Sequence, residues 1–128
     1  MEQRLDFFKA SPLVMKGMLA LEEQVKKSGL EKPLTELVRL RASQINDCAY
    51  CVDLHTADAR KGGETERRLA TVSVWRETPF FTDRERAALE WTESVTRLAD
   101  THVPDDVWER VRPHFTEAEL AELTLLIV

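Results

Sequence analysis

The chain has 128 residues, 43% of them apolar, with a net charge of −5 and a pI near 5.3. That size and apolar content suit one domain over residues 1–128 with a core of its own, so no disulfide framework is needed. The acidic balance argues against nucleic acid or an anionic membrane as the main partner, because both call for a basic face. No apolar run approaches the roughly 20 residues that span a bilayer. Residues 1–6, MEQRLD, are charged from the start, unlike a secretory signal. The expectation is a cytoplasmic protein, where two cysteines suit catalysis or metal binding better than a structural staple.

Ser11 and Pro12 read as an N-cap followed by Pro at the first helical position. Val14, Met18, Leu21 and Val25 recur at helical spacing and predict a buried stripe, with Gly29 as the stop. A second helix opens at Pro33 and turns Leu34, Leu37, Val38 and Ile45 inward. Asn46 and Asp47 break it, and Asp47 is placed to cap a third helix that ends at Gly62 and Gly63. A fourth, short helix covers about residues 66–75. Thr82 and Glu85 have capping-box spacing, and the helix they open sets Ala88, Trp91, Val95 and Leu98 on one side. Pro104, Asp105 and Asp106 begin another short helix. Thr116 and Glu119 repeat the capping box and open a last helix through Leu120, Leu123 and Ile127. That helix reaches Val128 with neither a glycine nor a basic last turn, which predicts a chain cut within a helix or an apolar end that is covered. The sum is an all-α fold of about six to seven helices.

The chemistry concentrates in the third helix. Cys48, Cys51 and His55 are the only two cysteines and a histidine four residues on, so they share one helical face. Two thiols and a base are the minimum for thiol redox chemistry. Two influences compete for the nucleophile. The helix N-terminus favours a thiolate at Cys48, whereas His55 stands one turn from Cys51 and two from Cys48. A base removes the proton as well as stabilising the charge, which assigns Cys51 as the attacking thiolate and Cys48 as the resolving thiol. Such a thiolate opens the O–O bond of a peroxide to give a sulfenic acid, the partner thiol closes a disulfide, and an external dithiol reduces the pair.

Glu36, then Cys48-x-x-Cys51-x-x-x-His55, then Ala59-Arg60-Lys61-Gly62 resemble the AhpD-like alkylhydroperoxidases of the carboxymuconolactone decarboxylase superfamily. The resemblance covers about residues 33 to 100. It implies an all-helical bundle assembled as a homo-oligomer, commonly a trimer or hexamer. It also implies a proton relay in which Glu36, through water, orients His55 and His55 activates Cys51, with Cys48 resolving. The implied reductant is a lipoylated or thioredoxin-like protein, and neither a metal nor another cofactor is called for. The family pattern has a second histidine just before its second cysteine, where this chain has Tyr50. The chain is also short against the double-length AhpD arrangement and is more similar to small single-domain relatives.

Other readings stand beside this one. Cys48, Cys51 and His55 could supply three zinc ligands, but no second Cys/His cluster completes such a site. Val52 after Cys51 argues against haem attachment. A dithiol–disulfide oxidoreductase, or a redox-responsive interaction protein, would use the same row without peroxide turnover. Apart from the resemblance, Glu36 is one of 23 acidic residues and reads as solvated. Asp53 and Asp58 project away from the row, and Arg39, Arg41 and Arg60 read as surface partners of glutamates. His102 and His114 fall near helix ends. Trp75, Trp91 and Trp108 read as core or interface. Tyr50 covers the site or packs at a subunit contact, and Phe80 with Phe81 forms an oligomer contact or an apolar wall for a hydroperoxide. Residues 84–93, rich in charge, read as one solvated face.

Overall fold

The computed structural model describes residues 4–128. Among these residues there are nine α-helices, two 3-10 segments and no strand. The helices are α1 (Phe7–Ala10), α2 (Pro12–Lys26), α3 (Lys32–Ile45), α4 (Ala49–Lys61), α5 (Glu66–Thr71), α6 (Asp83–Thr96), α7 (Leu98–Thr101), α8 (Asp105–Val111) and α9 (Glu117–Ile127). The all-α expectation holds, and the count of six to seven is corrected to nine. Both additions are single turns of four residues, α1 and α7, too short for a periodic apolar signal. Asp6 caps α1 by accepting the Lys9 N–H. Arg97, at φ −98° and ψ 37°, separates α7 from α6 and leaves Leu98 exposed. The fourth predicted helix likewise divides into α5 and a 3-10 segment, Val72–Glu77.

Helices α3 and α6 form the centre. Both clusters of the core draw on both of them. One gathers Leu34, Val38, Ala88 and Trp91 with Val111, Leu120 and Leu123. The other gathers Leu37, Leu40 and Leu89 with Leu69, Val72, Trp75 and Phe81. The solvated reading of residues 84–93 is therefore corrected: Ala87, Ala88, Leu89, Trp91, Thr92 and Glu93 are buried. Their charged neighbours reach outward to specific partners. Arg84 spans Glu31 and Glu119, and Glu85 pairs with Arg68. Trp75 and Trp91 are buried, while Trp108 stays 38% exposed with its ring 5.6 Å from that of Trp91. Phe81 is buried, and Phe80 is half-buried with the Arg67 guanidinium 4.0 Å above its ring.

Helix α2 departs most from expectation. Of Val14, Met18, Leu21 and Val25, only Val25 is buried, because α2 meets the body mainly through α9. Periodicity reveals an apolar stripe without saying what covers it. Ser11 makes no side-chain cap, and the helix stops at Lys26, before Gly29. Gly29 instead donates its N–H to Glu122. After α4, Gly63 adopts φ +94°, a left-handed geometry that favours glycine.

Both capping boxes form as the spacing requires. Thr82 accepts from Glu85 N–H and Glu85 from Thr82 N–H, and Thr116 and Glu119 repeat the exchange. Thr82→Ala and Thr116→Ala are each expected to lower unfolding free energy by about 1 kcal/mol. Urea denaturation checks this, and an unchanged midpoint would contradict it.

Candidate active site

The site is built on the hairpin of α3 and α4, whose short connection turns the chain back on itself. Asp47 does not cap α4. The last turn of α3 tightens, with Asp47 N–H bonding Gln44 O and Cys48 N–H bonding Ser43 O, and Asp47 takes φ +51° to reverse the chain. The cap falls one residue later, on Cys48, whose Sγ accepts the Cys51 N–H at 3.3 Å. The two cysteines form a disulfide, with Cα atoms 5.3 Å apart. The protein is thus described in its oxidised form.

His55 follows one turn after Cys51. Its Nδ1 lies 3.1 Å from Oε2 of Glu36, which α3 brings across the hairpin. Glu36 is only 7% exposed, so the solvated reading is replaced by a buried carboxylate on the histidine. The contact is direct, where the resemblance implied an intervening water. When the carboxylate accepts the Nδ1 proton, it fixes the ring orientation and leaves Nε2 as the basic nitrogen.

Cys48, Cys51 and His55 line one cleft of about 410 Å³. Its apolar walls come from Met18, Leu21 and Leu54 and from Leu125, Leu126 and Val128. The walls were missed as site residues, although the exposed stripe of α2 and the apolar end of α9 were the available signals. Phe80 and Phe81 are not among them, so the hydroperoxide-wall reading of that pair is set aside. Leu125 remains 46% and Val128 79% exposed, so that end is not covered among the described residues.

The remaining predicted residues sort as follows. Tyr50 is 76% exposed beside the disulfide. Asp53 is exposed, and Asp58 pairs with Lys61. Arg39 pairs with Glu22 and Arg60 with Glu66. Arg41 is no surface partner: it is buried against Glu93, Nε to Oε1 at 2.8 Å. Trp75 Nε1 donates to the same oxygen at 3.0 Å, and Arg76 donates to the other. His102 is the left-handed cap of α7, and His114 ends the 3-10 segment Arg112–His114. Among the described residues, no group of three His, Cys, Asp or Glu side chains is placed to hold a metal ion. No helix among them is long and apolar enough to cross a membrane.

With this geometry in view, the relatives fall into place. The chain belongs to the carboxymuconolactone decarboxylase family, which it matches over residues 12–94. It is 41% identical over 127 residues to the uncharacterised protein YdfG of Bacillus subtilis, covering 99% of this chain and 86% of that one. It is 35% identical over 102 residues to the uncharacterised protein YnjA of Escherichia coli, covering 80% of this chain and 56% of that one. A crystal structure from Agrobacterium tumefaciens, of a protein of unknown function put forward as an antioxidant defence protein AhpD, superposes with a TM-score of 0.92. It shares 44% identity, covering 98% of this chain and 86% of that one. An uncharacterised peroxidase-related protein from Silicibacter shares the fold at a TM-score of 0.75 and 22% identity, covering 88% of this chain and 60% of that one.

Proposed function

We propose that the protein is a thiol-dependent peroxidase that reduces organic hydroperoxides or hydrogen peroxide through a Cys48/Cys51 dithiol–disulfide cycle. The observation that carries this reading is one cleft holding both cysteines and His55, with Glu36 3.1 Å behind the histidine. In the reduced protein, His55 takes the Cys51 proton and the thiolate attacks the terminal peroxide oxygen. The O–O bond breaks, the alcohol leaves with the proton from His55, and Cys51 becomes a sulfenic acid. The Cys48 sulfur then attacks Cys51, water leaves, and the disulfide forms. An external dithiol restores both thiols and is itself oxidised to a disulfide. A lipoylated or thioredoxin-like protein has the required chemistry, and a reducing cytoplasm is the compartment in which such a pair cycles. The exposed apolar side chains of α1 and α2, among them Phe7, Phe8, Leu13 and Val14, support assembly into a homo-oligomer, and the family resemblance implies a trimer or hexamer.

The test is oxidation of the reduced protein by cumene hydroperoxide, with free thiols counted against time and peroxide turnover followed with a dithiol present. Loss of both thiols per chain with sustained turnover is expected. Cys48→Ser is expected to accumulate a sulfenic acid on Cys51, trapped by dimedone. A stable sulfenate in Cys51→Ser instead would reverse the two roles. The alternative, a dithiol–disulfide oxidoreductase or redox-responsive interaction protein, is favoured by exposed Tyr50 and Leu54 beside the disulfide, a surface suited to a protein partner. It predicts disulfide exchange without peroxide turnover.

A further inference from the structure

A second pocket, of about 490 Å³, lies where α2, α3 and α4 meet, and this size suits a small organic ligand. Val25, Leu30 and Leu126 give it an apolar part. Four cations, Lys26, Lys32, Arg39 and Lys61, share the lining with only two carboxylates, Glu36 and Asp58. Some of this charge is already engaged. Glu36 holds His55, Arg39 binds Glu22 at 2.8 Å, and Lys26 lies within 3.7 Å of Glu22 and 3.6 Å of Glu23. Lys61 is tied only to Asp58 on its own helix, at 3.2 Å and with its side chain 78% exposed. Such a pair contributes little and exchanges readily for a better partner. Lys32 has no carboxylate within ion-pair distance among the described residues.

We infer that this pocket binds the carboxylate end of an amphipathic organic acid. Lys32 supplies a cation unpaired among the described residues and Lys61 one held only by its exposed pair with Asp58, from which an incoming carboxylate would have to draw it. An inorganic anion would leave the half-buried Leu126 without a partner, and a neutral chain would draw nothing from the two solvated lysines. The pocket also shares Val25, Arg39 and Leu126 with the cysteine cleft. Sharing three lining residues, the two cavities adjoin, so a chain anchored at Lys32 and Lys61 would extend towards the cleft that holds Cys51. The substrate class is therefore a hydroperoxide carried on an aliphatic acid. This last assignment rests on the thiol-peroxidase reading, whereas binding of the acid does not.

Calorimetry on the oxidised protein tests the binding, with octanoate and its uncharged amide, octanamide, as probes. Octanoate is expected to bind about ten-fold tighter than octanamide, the equivalent of about 1.4 kcal/mol. The double variant Lys32→Glu/Lys61→Glu is expected to abolish that preference, and Lys9→Glu to leave it intact. Equal binding of acid and amide, or a preference that survives the double reversal, overturns the assignment. Thiol loss from the reduced protein then tests the substrate class, with linoleic acid hydroperoxide and its methyl ester at equal low concentrations. Faster oxidation by the acid than by the ester, with the difference lost in the double variant, supports the assignment. Equal rates overturn it. Cumene hydroperoxide carries no carboxylate: if neither it nor the acid oxidises the thiols, the peroxidase reading fails while the octanoate result still decides the pocket.

Discussion

His55→Ala is expected to slow oxidation of the reduced thiols by cumene hydroperoxide by about ten- to a hundred-fold at neutral pH. General-base assistance typically contributes about 10²- to 10⁴-fold. The lower end applies because a cysteine is intrinsically nucleophilic and has some thiolate at neutral pH without help. Glu36→Gln keeps the shape beside Nδ1 but removes the charge, and its amide can donate to that nitrogen as well as accept from it. The tautomer is then no longer held, so the rate is expected to fall in the same direction by a smaller factor. The double variant is expected to be no slower than His55→Ala alone, because Glu36 reaches the thiols only through His55, at 3.1 Å from its Nδ1. Stopped-flow thiol oxidation of all four proteins checks this. Multiplying losses would mean that Glu36 acts on the thiols by another route, and equal rates in all four would remove His55 from the chemistry.

Glu93→Leu is expected to cost about 3–5 kcal/mol of unfolding free energy, since it leaves a buried guanidinium without its counter-charge. Arg41 is 8% exposed, and its Nε donates to Glu93 at 2.8 Å. Trp75 Nε1 loses its acceptor in the same step. Arg41→Met combined with Glu93→Leu is expected to recover much of the loss, because removing both charges avoids the unpaired one. Urea denaturation of the single and double variants decides this, and equal losses in both would mean that packing volume rather than charge is at stake. The pH dependence follows. Burial raises the carboxyl pKa of Glu93, but hydrogen bonds from Arg76, Trp75 and Arg41 together hold it below the ordinary value of 4.5. A depressed folded-state pKa contributes stability that is fully present above the unfolded value and is lost as pH falls through the folded one. Acid below about pH 4 is therefore expected to weaken the link between α3, α6 and the Val72–Glu77 segment, and Glu93→Leu to flatten that part of the profile.

How much of this was legible beforehand follows the range of the interactions. Helix period places Cys51 and His55 on one face, with Cys48 at the cap just before it, and each capping box closes within three residues, so local geometry is enough to read both. The cap of α4 was misread by one residue because it depends on how the last turn of α3 tightens, as seen in the Cys48 N–H bond to Ser43 O. The exposed stripe of α2 and the buried stripe of α6 look equally amphipathic in sequence. They differ only in whether another helix lies against them.

By itself, the amino-acid sequence determined the all-helical architecture, the thiol–thiol–imidazole row and the family to which the row belongs. The first two depend on spacings within one or two turns of helix, where backbone geometry admits few alternatives, and the family on the resemblance carried by Glu36, the cysteine row and Ala59-Arg60-Lys61-Gly62. Tertiary structure alone decided that Glu36 touches His55 across 19 residues of chain, and that Arg41 and Glu93 meet across 52. It also decided that α2 and α9 wall the cleft. Apart from the family resemblance, a glutamate among 23 acidic residues carries no mark of its partner. The partner is chosen when burial removes water as a competitor and leaves one polar group within reach.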